Sequence, residues 1–167
     1  MNSGIEFHTV TCLNWNHLLR NDSNKKIITD SFKFLVEQER ILLFGFVIMS
    51  NHIHFIWQVK DNWLAKNIKQ HFLKYTAQQI KFNLSEEELA LYKSTQSDRQ
   101  FQFWERRSWV AEMNNRSVIE QKLEYIHQNP VKAGLVKNES DYTYSSSRFY
   151  NMAECNWGFI KHYMDYI

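Results

Sequence analysis

The stretch Val47–Trp57, "VIMSNHIHFIW", sets two histidines one residue apart in an otherwise apolar run. Side chains alternate along a strand with period two, so His52 and His54 fall on one side and Ile53, Phe55 and Trp57 on the other. The second side reads as core. The first carries two imidazoles on a strand that is otherwise greasy. Neutral imidazole is the commonest side-chain metal ligand, and two on one strand face can grip one ion. A structurally satisfied pair fits the same spacing, so this stretch alone leaves both readings open.

The flanking sequence supplies the frame. "ILLFGFVIM" (Ile41–Met49) is a continuous apolar run, expected of a strand buried on both faces, and Ser50 and Asn51 turn it into the histidine strand. "IEFHTVTCL" (Ile5–Leu13) is a further strand. Asn21 to Asn24 form a polar turn that can cap a helix over Lys25 to Gln38, where Ile28, Phe32, Leu35 and Val36 recur at helical spacing. Asp61 and Asn62 can cap a second helix carrying Leu64, Ile68, Phe72 and Tyr75. Ser85 with Glu88 has the capping-box pattern of a short helix, "SEEELALYKS". After the loop "TQSDRQ", "FQFWE" (Phe101–Glu105) reads as a fourth strand. Ser117 with Glu120 opens a last helix on Ile119, Leu123 and Ile126, which Asn129-Pro130 should end.

This order predicts an α+β, ferredoxin-like (split βαβ) chain. It has an antiparallel sheet with helices on one face, the Ser85 helix as an insertion, and a C-terminal helix bearing a tyrosine. Four main strands are expected, with the His52/His54 strand in the interior. No repeat or linker divides the sequence, so residues 1–167 are expected to form one domain.

Composition narrows the chemistry. Four Gly and one Pro in 167 residues cannot build a Gly-rich phosphate loop, which argues against a P-loop or Rossmann domain. Hydrophobic residues at 44% and aromatics at 16% indicate a globular chain. A net charge of +2 permits a local basic face without requiring a nucleic-acid partner. Cys12 and Cys155 have no metal-type spacing and read as reduced thiols. The start "MNSGIEFHTV" is not a signal peptide, and no apolar segment is long enough for a membrane, so the cytoplasm is the expected location.

In the last helix, Tyr125 and Asn129 are four residues apart and share a face beside the apolar stripe. The Tyr125 phenol can therefore lie at an edge, available to a neighbour. A packing tyrosine with a wet hydroxyl fits as well. "MSNHIHFIW" followed by "YIHQNPVKAGLV" resembles the REP-associated tyrosine transposases. These are relatives of the single-tyrosine insertion-sequence transposases within the HUH (His–hydrophobic–His) endonucleases. The similarity runs from the first strand through "DYTYSSSRFY". Ser50 stands where the family usually has proline, in a turn that does no chemistry. His127 points towards the core stripe and reads as structural.

The resemblance implies that His52 and His54 are paired metal ligands, Asn129 the third ligand and Tyr125 the nucleophile. It implies a metal-dependent enzyme that cleaves and rejoins single-stranded DNA at hairpin sites, the repetitive extragenic palindromes, through a 5′-phosphotyrosine. Two imidazoles and an amide oxygen suit Mg²⁺ or Mn²⁺ and leave coordination positions open. Insertion-sequence relatives work as homodimers, and the REP-associated group can act without this. Candidate DNA contacts are Lys74 and Lys81, which share a face of the second long helix. Arg106 and Arg107 lie beside Trp104 and Trp109, while Lys132, Lys137 and Arg148 flank the C-terminal segment. Each fits a solvated surface charge as well. Two rivals remain at this point: an RNA-recognition-type module stacking bases on sheet aromatics, and a hydrolase using metal-bound water, for which Tyr125 would be dispensable.

Overall fold

A computed structural model describes residues 3–154 and 156–167. Met1, Asn2 and Cys155 lie outside the described residues, and with them the reading of Cys155 as a reduced thiol. Four strands, β1 (Ile5–Thr11), β2 (Ile41–Ile48), β3 (His52–Val59) and β4 (Trp109–Met113), form one antiparallel sheet in the order β2-β3-β1-β4. That is the ferredoxin-like order, and the histidine strand β3 is interior as expected. Helices α1 (Asp22–Glu37) and α2 (Ala65–Lys81) cover one face. Their Phe32 and Phe72 stack with ring centroids 5.0 Å apart, over Ile53, Phe55 and Trp57 of β3. Helix α4 (Arg116–Lys132) lies on the opposite face, where Ile119, Leu123 and Ile126 pack on Phe7, Phe44, Val47 and Ile56. Between α2 and β4 sits the short α3 (Glu86–Ala90), whose Ser85–Glu88 capping box forms as expected. With helices on both faces, the sheet has no open platform of the kind an RNA-recognition module uses.

Several local expectations are corrected. "FQFWE" is not β4: Phe101 and Trp104 make single bridges to Lys93 and Cys12, and Phe103 and Trp104 are buried in the α1/α2 core. The edge strand is the following segment, mostly exposed and without a strong apolar pattern. Asp61 and Asn62 do not cap α2. The chain turns through Trp63, whose N–H donates to the Lys60 carbonyl, and Leu64 becomes the N-cap. Leu64 and Tyr75 are exposed, and Thr76 and Ile80 complete the stripe with Ile68 and Phe72. Ser117 and Glu120 form no capping box. Asn115 caps α4 by accepting from the Val118 N–H, while Glu120 pairs with Arg116 at 2.7 Å and accepts from the Tyr163 hydroxyl at 2.6 Å. Nor does Pro130 end α4. The helix runs one turn through it and stops at Gly134, whose φ of +73° closes a Schellman motif through Gly134 N–H to Val131 and Leu135 N–H to Pro130.

The outer edge of β2 is sealed by the segment after α4. Ile48 N–H donates to the Tyr144 carbonyl, Lys161 N–H to Leu43, and the Tyr142 and Tyr150 hydroxyls to the Ile48 and Phe44 carbonyls at 2.6 Å each. Within this segment Arg148 of α5 (Ser147–Asn151) donates to the Ser140 carbonyl. Among the described residues, no helix is long and apolar enough to cross a membrane.

On the α1/α2 side, His8 is buried, stacked on Phe55 at 4.8 Å and bonded to Glu6 at 2.9 Å. Burial lowers its pKa, outweighing the raising effect of Glu6. A buried neutral imidazole stabilises the fold above its unfolded pKa of about 6.5, and that contribution is lost as the pH falls below it. Melting of the protein is therefore expected to drop on acidification below about pH 6.5. His8→Asn should flatten the dependence by up to about 1.4 kcal/mol per pH unit, the slope for one proton. Denaturant titrations across that range check this, and identical slopes would contradict it.

Candidate active site between the histidine strand and helix α4

Because β3 is interior, His52 and His54 face α4 with β1 beside them, Thr9 opposite His54 and Thr11 opposite His52. His54 is 4% exposed and stacks on Phe7 with centroids 5.5 Å apart. Its Nδ1 bonds the Thr9 hydroxyl at 2.8 Å, which leaves Nε2 as the nitrogen that could ligate an ion. Burial, then the neighbouring His52, then Lys122, push the His54 pKa down to about 3. Burial also lowers that of His52, opposed by Asn129. Both rings are thus neutral near pH 7 and hold lone pairs for a ligand.

Helix α4 brings the rest. Tyr125 is 43% exposed, and its ring meets His54 edge-on at 5.2 Å and Phe7 at 6.2 Å, within the same chain. One turn later Asn129 Oδ1 lies 3.3 Å from His52 Nε2. The position of α4 depends on Gly45 in β2: a Cβ there would sit 2.6 Å from Leu123 Cδ2. Gly45→Ala is expected to cost about 1–3 kcal/mol through overpacking and to displace the helix that carries Tyr125. A fall in melting temperature of several degrees checks it; an unchanged melt would show that Leu123 yields freely.

The His52 contacts bear on metal binding. Its Nδ1 lies 2.7 Å from Asn51 Oδ1 and its Nε2 faces Asn129 Oδ1, so both partners are carbonyl oxygens. A neutral imidazole has one N–H to give. In the tautomer that gives its N–H to the shorter contact, a lone pair on Nε2 faces a lone pair on Oδ1. Cis ligands of an octahedral ion with bonds near 2.1 Å stand about 3 Å apart, close to this separation. The donor set fits a hard or borderline divalent cation. Among the described residues there is no cluster of three or more His, Cys, Asp or Glu side chains suited to a metal, and Asn129 offers an amide oxygen beside His52.

His52, His54, Tyr125 and Asn129 line one cavity of about 450 Å³ together with Phe7, Thr9, Trp15, Trp109 and Lys122. Trp15 follows Asn14 in a tight turn with both residues at positive φ, 52° and 57°, a strained arrangement that sets its indole over His52 at 5.9 Å. Of the two tryptophans beside the arginines in sequence, Trp109 reaches the cavity, whereas Trp104 is core and donates to the Leu73 carbonyl. Arg106 and Arg107 are exposed just before β4, with Arg106 3.9 Å from Asp98. Lys74 and Lys81 lie on α2, across the sheet from the histidines, with Lys81 over the Phe101 ring. Lys132 is exposed at the end of α4, Lys137 follows it, and Arg148 is engaged in the β2 seal. The buried His127 bonds Ser146 at 2.8 Å, a structural role as expected.

Sequence reasoning missed Lys122, Phe7, Thr9 and Trp15. For Lys122 a signal existed, since it precedes Tyr125 by three residues on one helix. Phe7 and Thr9 reach the site through cross-strand register and Trp15 through a strained turn, which no local pattern announces.

The fold is that of a tyrosine transposase. The structure of a REP-associated tyrosine transposase bound to a REP hairpin matches it with a TM-score of 0.68 at 20% identity, covering 92% of this chain and 82% of that one. A Haemophilus influenzae (strain Rd) protein assigned as a REP-associated tyrosine transposase is 28% identical over 136 residues, 77% of this chain and 76% of its own length. The family model described as "Transposase IS200 like" matches residues 2–129, and the chain belongs to that family of transposases.

Proposed function

We propose that this transposase cleaves and rejoins single-stranded DNA at hairpin sites, with Tyr125 as nucleophile and His52, His54 and Asn129 as the ligands of a divalent ion. The observation that carries the reading is the meeting of the Tyr125 ring with a buried neutral His54 in a cavity that also holds the 3.3 Å contact between His52 Nε2 and Asn129 Oδ1. The substrate class is supported by the REP hairpin bound to the structural relative and by the exposed faces of Trp15 and Trp109, which suit unpaired bases.

In this reading the Tyr125 oxygen attacks phosphorus and loses its proton. The new O–P bond replaces the P–O3′ bond, the departing 3′ oxygen takes up a proton, and the strand is held as a 5′-phosphotyrosine. The ester conserves the energy of the broken bond, so a 3′-hydroxyl can attack it and reseal without ATP. A bound Mg²⁺ or Mn²⁺ would supply charge neutralisation and orientation of the phosphodiester. Thr9 fixes the His54 ring, and Phe7 beneath it excludes water.

The test is incubation with 5′- and 3′-labelled hairpins bearing single-stranded flanks, drawn from the DNA around the protein's own gene, with Mn²⁺ or Mg²⁺. A denaturation-resistant adduct on the 3′ fragment of the strand is expected, and the fully paired duplex should be a poor substrate. Metal-dependent cleavage that leaves a free 5′-phosphate and no adduct at any time would assign the reaction to water instead.

A further inference from the structure

Lys122 stands out as a cation without a countercharge. Its Nζ lies 4.9 Å from the Phe7 ring centroid, 5.0 Å from Trp109 and 5.7 Å from Tyr125. Among the described residues, no carboxylate is in ion-pair reach of it. Glu120 of its own helix is paired with Arg116 and Tyr163, and Glu6 of β1 with His8 on the other face of the sheet. A lysine left to itself would extend its ammonium into water. Here three rings hold it on the wall of the cavity that contains the histidine pair. Its charge already reaches His54, whose protonation it opposes. A fixed cation, three residues before the candidate nucleophile and facing the same cavity, is arranged for an anion that arrives from outside.

We propose that Lys122 binds a non-bridging oxygen of the phosphodiester presented to Tyr125, with Phe7 and Trp109 holding its ammonium in place. This rests on the reading of the cavity as a DNA-strand site, yet it concerns phosphate binding and not bond breaking. The aromatic cage matters because the lysine stem is flexible: ordering it beforehand removes an entropy cost from binding. The alternative is that Lys122 merely covers Phe7 with its methylenes. Lys122→Met separates the two, since it keeps the stem and removes the charge.

The experiment is a binding cycle in EDTA, on a Tyr125→Phe background so that no chemistry intervenes. Fluorescent hairpins with single-stranded flanks are made with one flank phosphate at a time replaced by an uncharged methylphosphonate. With Lys122 present, one position should weaken binding about tenfold when neutralised. Lys122→Met should lose about the same factor on the all-phosphate strand and nothing further at that position, and Lys122→Arg should retain most of the affinity. The slope of log affinity against log salt should fall by about 0.7 in the methionine variant, the value for one contact to a single strand. Equal losses for Lys122→Met on every strand, no loss at all, or a parent protein that fails to hold any of the hairpins would overturn the proposal. If the coupling appears but the protein with Tyr125 intact never forms an adduct in the metal-containing assay, the phosphate site stands and the nucleophile assignment falls. If Lys122→Met melts at a lower temperature, Lys122→Gln in the same cycle decides, because the comparison between strands is made within one variant.

Discussion

Tyr125→Phe is expected to abolish the covalent protein–DNA adduct while leaving the fold and DNA binding intact. Among the described residues the Tyr125 hydroxyl makes no hydrogen bond, and the ring packs edge-on against His54 and Phe7 with Lys122 Nζ 5.7 Å from its centroid. Phenylalanine keeps those contacts, so melting should stay within about 1 °C, in line with the small effect of surface changes. Removing a nucleophile outright costs several orders of magnitude in rate, and here a loss of at least about a thousandfold is expected. Gel analysis of the denatured adduct, with a melt and a binding curve on the same sample, reads all three quantities. Cleavage at the wild-type rate would place the nucleophile elsewhere, and the fold and family would be unaffected.

The second large effect is expected from His52→Ala. His54 is the poorer target: it is buried among Phe7, Thr9 and Tyr125, so its loss would disturb packing together with ligation. His52 is partly exposed and its main contacts are the two oxygens of Asn51 and Asn129. Its removal should leave a folded protein whose Mn²⁺ affinity is reduced by about a hundredfold or more, with DNA cleavage lost in parallel. Calorimetric titration of Mn²⁺ into both proteins measures this without DNA. An unchanged affinity would remove His52 from the ligand set and leave Asn129 without its partner.

Much of this was legible from residues alone, because the strongest patterns are those a buried sheet enforces. The apolar run of β2 and the alternation in β3 require both strands to be buried between covered faces, and that fixed the face on which His52 and His54 lie. The offset of Tyr125 from Ile119, Leu123 and Ile126 followed from helical spacing. The misses share a cause. "FQFWE" has more strand-like composition than "WVAEM", but its aromatics are used to fill the α1/α2 core, whereas β4 is a solvated edge that needs no apolar alternation. Asn129-Pro130 predicts a helix end, yet α4 carries Pro130 within its last turn and closes at Gly134. For Lys122, spacing puts it one turn from Tyr125, but the three rings that surround it come from three elements and meet only in the fold.

The seal over β2 has a practical consequence for anyone trimming the protein to its recognisable family region. That region ends at residue 129, while the groups that occupy the strand's outer carbonyls and amides come from residues 142 to 161. A fragment cut at the family boundary would keep His52, His54, Lys122, Tyr125 and Asn129 and still bare a long, apolar strand edge, a template for intermolecular pairing. Such a fragment would be lost to insoluble, β-rich aggregates, and its inactivity would say nothing about Tyr125 or the histidines.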